Sequence, residues 1–155
     1  MRTKACSRKE LDLLLDRLCG DNRFAVEVAA ESGLRIDDVL SLPWLACVEP
    51  VEVVEAKRGV HRIIDLSPDL RRRLKKRGFV SAWLFPGRVR GHRHRSTVFR
   101  AMDKACKAAG LQRFSPHSLR KFYARQRFDA LGDVELVRRE LGHKYVSTTL
   151  IYLFM

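Results

Sequence analysis

The chain has 155 residues, 46% of them apolar, which is enough for one domain with a real core and too apolar for a disordered segment. Lys and Arg number 31 against 18 acidic residues, a formal charge of +13. That imbalance points to a polyanion, with nucleic acid the first candidate and a charge that serves only solubility the plain alternative. The cysteines Cys6, Cys19, Cys47 and Cys106 are scattered, and none forms a C-x-x-C pair. This argues against zinc and for buried, reduced thiols. There is no apolar run of about eighteen residues and no signal-peptide pattern, so the chain is expected to be soluble and cytoplasmic, with no membrane partner.

Ser7-Arg-Lys-Glu10 is a capping box that opens a helix with an apolar stripe of Leu11, Leu13, Leu14, Leu15 and Leu18, closed by Gly20. Residues 24–32 read as an Ala-rich, buried second helix that Gly33 breaks. Residues 35–42 read as a short helix capped by Asp37. Beyond Pro43 the period changes, and residues 44–48, 51–56 and 60–66 predict a small antiparallel sheet of three strands with a turn at Lys57-Arg58-Gly59. Ser67-Pro68 starts a basic helix through residues 71–77. Residues 83–86 form a short apolar segment, and residues 87–95 a basic loop with no period. Ser96 is the expected cap of a helix ending near Gly110. Three more helices follow: residues 117–131 after Pro116, residues 134–141 after Gly132-Asp133, and residues 146–153. The sum is an α+β fold, mostly α, with helices around a three-stranded sheet in one domain.

Taken singly, the residues able to do chemistry stay ambiguous. Arg35, at the start of a short helix, is either an anion grip shared with free backbone N–H groups or an ordinary surface arginine. Lys57 lies on a turn, where a lysine is usually just solvated. Asp38 either orients an arginine or caps its helix. His117 and Arg120 share one face near the positive end of a helix dipole, which suits a phosphate and suits a surface pair equally. His143 follows Leu-Gly at a helix end, and Tyr152 reads by default as a core aromatic. His92-x-His94 stands among Arg88, Arg90, Arg93 and Arg95, whose charges would repel a divalent ion, so no metal site is expected.

The set in order is more specific. Gly33-Leu34-Arg35-Ile-Asp-Asp38-Val-Leu-Ser-Leu42, Lys57 with Arg62-Ile-Ile-Asp-Leu66, Leu84-Phe85-Pro86, Ser115-Pro-His117-Ser-Leu-Arg120, Leu141-Gly142-His143 and Ser147-Thr-Thr-x-x-Tyr152 resemble six boxes of the tyrosine recombinase (phage integrase) family. The tyrosine stands nine residues after the histidine, as in Xer-type members, and the resemblance covers nearly the whole chain. There are departures. Residues 1–155 correspond to the catalytic domain alone, without the N-terminal helical domain that usually completes a clamp around DNA. Tyr145 replaces a small or polar residue, and little follows Tyr152.

The resemblance implies a site-specific recombinase that breaks and rejoins double-stranded DNA through a 3′-phosphotyrosyl intermediate, without metal, nucleotide or other cofactor. It implies Tyr152 as nucleophile, Arg35 and Arg120 as a clamp on the non-bridging oxygens, and Lys57 as general acid. His117 would accept a proton or bond the phosphate, His143 would donate to a phosphate oxygen, and Asp38 would support the site from behind. Backbone contacts to DNA are expected from Arg71, Arg72, Lys75, Arg88, Arg90, Arg93 and Arg95, and assembly as a homo-tetramer on DNA is compatible with the family. The expected setting is a prokaryotic cell, or a virus or plasmid within one. The alternatives are a non-catalytic DNA-binding regulator on the same fold and, less favoured, a nicking-closing activity of topoisomerase type.

Overall fold

A computed structural model describes residues 4–155. Helix α1 (Arg8–Leu15) starts at the expected capping box, with Ser7 N donating to the Glu10 carboxylate at 2.8 Å and Glu10 N to Ser7 Oγ at 3.2 Å. Helix α2 (Gly20–Ser32) begins four residues before the predicted start, so Gly20 opens this helix rather than closing the one before it. Ala25, Val26, Val28 and Ala29 are all buried, and these small side chains let α2 run through the centre of the molecule against α6 (Pro116–Leu131). Gly33 ends α2 with φ +68°. Helix α3 (Ile36–Leu40) has Arg35, not Asp37, at its cap position, and the Asp37 carboxylate instead faces Arg95 at 3.1 Å.

The sheet has two strands, not the three expected. Strands β1 (Val51–Glu55) and β2 (Val60–Ile64) pair antiparallel, with Val51 opposite Ile64, Val53 opposite Arg62 and Glu55 opposite Val60. Trp44–Cys47 forms a tight helical turn instead of a strand, closed by Ala46 N to Pro43 O and Val48 N to Leu45 O. Its burial explains the error. Leu45 is exposed while its neighbours Ala46 and Cys47 are both buried, a grouping that the two-residue period of a strand does not allow. The apolar content that suggested a strand serves a different period.

Helix α4 (Pro68–Lys75) has Ser67 at its cap and Pro68 at its first position. Helix α5 (Arg95–Ala108) is capped by His94, whose Nδ1 accepts from Ser96 N at 3.2 Å, not by Ser96. Helices α7 (Val134–Glu140) and α8 (Val146–Phe154) follow α6. The core is in two parts. The larger gathers α1 to α5, the inner face of the hairpin and the start of α6. The smaller consists of Ala124, Val137, Leu141 and Leu153, bordered by Tyr123, Phe128, Val134 and Tyr152. Among the described residues no helix is long and apolar enough to cross a membrane.

Candidate active site

The site lies where the two core regions meet. Arg120, on the second turn of α6, is 1% exposed and among the largest fully buried side chains. A buried guanidinium is costly unless its N–H groups are satisfied. Here Nη1 donates to the carbonyl of Gly33 at 2.6 Å and Nη2 to that of Leu141 at 2.5 Å, which ties the end of α2 to the end of α7. Gly33 must stay bare, because a Cβ there would overlap the Tyr123 ring one turn along from Arg120. Arg120 Nε is buried and has no partner.

Arg35 enters from the cap of α3 and donates Nη1 to Glu55 Oε2. Glu55 is wholly buried. It also accepts from Arg62 Nη1 at 3.2 Å and lies 3.6 Å from Arg120 Nη1, so one carboxylate joins three guanidinium groups. Asp38 bonds elsewhere. Its Oδ1 accepts from the backbone N–H of Ala56 at 3.0 Å, fixing α3 to the base of the hairpin tip just before Lys57. Burial raises the Asp38 pKa, and the Glu55 charge adds to the rise against the Ala56 bond and the Arg35 and Arg120 charges.

Lys57 is exposed at that tip. Beside it, Arg58 Nη1 donates to the Gly142 carbonyl at 3.0 Å. Gly142 (φ +63°) faces Val60 so closely that an added Cβ would lie 2.8 Å from its Cγ2. The hairpin is thus pressed against the Leu141-Gly142-His143 segment, and the Lys57 charge reaches His117.

His143 is buried, with Nδ1 2.9 Å from Thr149 Oγ1, while Nε2 has no partner. Burial, then the charges of Arg120, Arg58 and Arg35, pull its pKa down to about 3, so the ring is neutral. Tyr152, one turn after Thr149 on α8, lies edge-on to both His143 and His117, with ring centroids 4.7 and 5.0 Å away. Its Oη is 2.8 Å from His117 Nε2. Loss of solvent raises the Tyr152 pKa against the opposing pull of Arg120 and Arg35, so the phenol keeps its proton at neutral pH. Loss of solvent also lowers the His117 pKa, and Lys121, Arg120, Arg35 and Lys57 lower it further, leaving a neutral ring able to take a proton.

Arg35, His117, Arg120, His143 and Tyr152 therefore converge, with Lys57 on the adjoining tip. The residues expected to contact DNA are dispersed. Arg71 pairs with Asp65 and Arg72 with Asp69, each at 2.5 Å; these two and exposed Lys75 border a shallow surface with Val48 and Pro68. Arg93 is held by Asp21 and Arg95 by Asp37, while Arg88 and Arg90 have no ion pair among the described residues. His92 Nδ1 lies 2.9 Å from the Arg93 carbonyl and His94 caps α5.

Glu55, Arg62 and Thr149 were not singled out from the sequence. A signal for Glu55 was present: Val51, Val53 and Glu55 alternate along β1, so a carboxylate falls on the inward face, where it needs cations.

Chemically, the arrangement places a phenol against a neutral imidazole, next to two buried nitrogens without partners and under a strongly positive field. That is what an incoming phosphate and a tyrosine nucleophile require.

The chain is similar to known proteins. The Phage integrase family model matches residues 5–154. Tyrosine recombinase XerD of Caulobacter vibrioides is 33% identical over 143 residues, covering 82% of this chain and 47% of the relative. Tyrosine recombinase XerC of Erythrobacter litoralis is 33% identical over 135 residues, covering 82% and 44%. The chain thus spans about half the length of the curated relatives it matches. Among solved structures, a lambda integrase dimer bound to a COC′ core site superposes with TM-score 0.81 at 22% identity, over 98% of this chain and 48% of that one. The catalytic domain of bacteriophage HP1 integrase gives 0.74 at 16% identity, over 97% and 87%. These two share the fold. On the family match and the Xer relatives, the chain belongs to the phage integrase family, the tyrosine recombinases.

Proposed function

We propose that this chain is the catalytic domain of a site-specific recombinase that cuts and rejoins double-stranded DNA through a 3′-phosphotyrosyl bond. The observation that carries the reading is Tyr152 Oη 2.8 Å from His117 Nε2, beside the unpartnered nitrogens Arg120 Nε and His143 Nε2. Tyr152 donates to His117 and passes its proton to it as Oη attacks phosphorus. The O–P bond forms, the bond to the 5′-oxygen breaks, and the energy of one ester is kept in the next. A phenol of raised pKa needs that base.

Arg35 and Arg120 meet the charge that grows on the non-bridging oxygens, a role that a metal ion fills in other phosphoryl enzymes. With Thr149 Oγ1 donating to Nδ1, the neutral His143 keeps its proton on Nε2 and donates a hydrogen bond from it to a phosphate oxygen. Lys57 supplies the proton to the leaving 5′-oxygen from the hairpin tip. Asp38 supports that tip through Ala56. The positive charge of the chain favours DNA as partner, with Lys75, Arg88 and Arg90, free of ion pairs among the described residues, as the first phosphate contacts. A lambda integrase tetramer bound to a Holliday junction is among the solved structures similar to this chain, and the same kind of assembly on DNA is proposed here.

The test is a nicked suicide duplex carrying the protein's own recombination site. A covalent protein–DNA adduct on a denaturing gel, lost in Tyr152→Phe and unchanged by EDTA, is expected. An adduct that survives Tyr152→Phe overturns the nucleophile, and one that EDTA abolishes overturns the metal-free mechanism.

A further inference from the structure

One buried acid among the cations has no part in the chemistry above. Glu55 is wholly buried. Its Oε2 accepts from Arg35 Nη1 and lies 3.6 Å from Arg120 Nη1, and its Oε1 accepts from Arg62 Nη1 at 3.2 Å. The three arginines are not held alike. Arg120 has the carbonyls of Gly33 and Leu141, and Arg62 has the carbonyl of Ser32 at 2.6 Å. The Arg35 guanidinium has no hydrogen-bond partner but Glu55 among the described residues. Without that carboxylate, a partly exposed guanidinium at the cap of a five-residue helix would face two like charges and move away.

We propose that Glu55 is a positioning residue of the phosphate clamp: it holds the Arg35 guanidinium beside that of Arg120 so that both present N–H groups to one phosphate. The inference rests on the reading of Arg35 and Arg120 as phosphate ligands. Glu55 itself touches no reacting atom. It acts through Arg35, and its removal is expected to lower the rate of cleavage while leaving affinity for DNA in place.

The test compares wild type, Glu55→Gln and Glu55→Asp by three readouts: single-turnover cleavage of the suicide duplex, equilibrium DNA binding, and nitrogen NMR of the arginine side chains. Glu55→Gln is expected to bind DNA as wild type does and to cleave about 10²-fold more slowly, the scale of a misplacement of roughly 1 Å. Glu55→Asp, with the charge kept but set back by one methylene, should cleave at an intermediate rate. The Arg35 guanidinium should rotate slowly in wild type and freely in Glu55→Gln, with Arg127, held by Glu140 at 2.7 Å, as an unmoved internal reference. A wild-type cleavage rate in Glu55→Gln, or unchanged Arg35 signals, overturns the proposal. If wild type forms no adduct, the recombinase reading falls, and the NMR comparison still decides whether Glu55 holds Arg35. If Glu55→Gln does not fold, Glu55→Asp decides: a slowed rate at unchanged DNA affinity supports positioning, and a wild-type rate overturns it.

Discussion

The proposed clamp and the proposed nucleophile are built in opposite ways. Arg120 and Glu55 are sunk at the edge of the larger core, bonded to carbonyls and to each other's neighbours across three distant segments. Tyr152 rides on α8, whose buried side chains are Thr149 and Leu153 and whose outward residues Leu150, Ile151 and Phe154 stay exposed. A phosphate site must hold its shape through the reaction, because donors aimed at a developing charge are most effective when they need no rearrangement. A nucleophile that becomes covalently joined to DNA and is later released gains from a lighter attachment. The difference separates a deeply anchored half from a lightly anchored one within a single site, and four experiments can break or sharpen it.

The largest effect is expected from Arg120→Ala. It leaves the Glu55 carboxylate short of a partner and opens a gap between α2 and α7, so stability measured by urea unfolding should drop by about 3–5 kcal/mol. Adduct formation should cease. An Arg120→Ala protein of wild-type stability would show that the clamp is not the deeply anchored half.

Next is Leu153→Ala, which hollows the small core beneath α8. The loss should sit at the low end of the ~2–5 kcal/mol seen for such truncations, since this core has few buried members and can collapse. Amide hydrogen exchange should accelerate in α8 and not in α2. Equal acceleration in both would mean that the two regions unfold as one unit.

Thr149→Val keeps shape and removes the hydroxyl against His143. It should cost about 1 kcal/mol of stability. The cleavage rate should fall roughly tenfold, the value of one hydrogen bond lost from the transition state. An unchanged rate would take Thr149 out of the control of the His143 tautomer.

The smallest effects come from pH. If His117 takes the Tyr152 proton as proposed, its neutral form is the active one; its folded pKa lies below 6.5, so the cleavage rate should be level above pH 6.5 and fall as pH drops through that lowered value. His117→Ala should lose this step. For stability the relevant group is His143, with a folded pKa of about 3 against 6.5 unfolded. Between these values the unfolded chain binds the extra proton, so stability is full above pH 6.5 and is lost as pH falls towards 3. The urea midpoint of His143→Gln should vary less with pH across that window, and an unaltered pH dependence would contradict the neutral, buried ring.

Much of this was legible in the residues. The capping box at Ser7, the Pro-led starts of α4 and α6 and the hairpin turn all follow from local chemistry, and the six boxes pointed to the residues that gather around Tyr152. The third strand failed because the apolar residues after Pro43 follow the period of a tight helical turn, with Ala46 and Cys47 buried side by side and Leu45 exposed, and so short a run does not reveal that period by composition. The caps of α3 and α5 each lie two residues before the expected one: Asp37 turned to Arg95 instead of its own helix, and His94 took the cap from Ser96. Glu55 and Thr149 were missed for a different reason. Their meaning lies in what faces them, Arg35 twenty residues earlier and His143 six residues earlier, and pairings of that kind appear only once the chain is folded.

The account depends most on Tyr152 being the residue that becomes joined to DNA. After reaction with the suicide duplex and proteolysis, mass spectrometry of the nucleotide-linked peptide should place the modification on Tyr152. A modification on Tyr145 or Tyr123, or DNA cleavage that leaves no linked peptide at all, would contradict it.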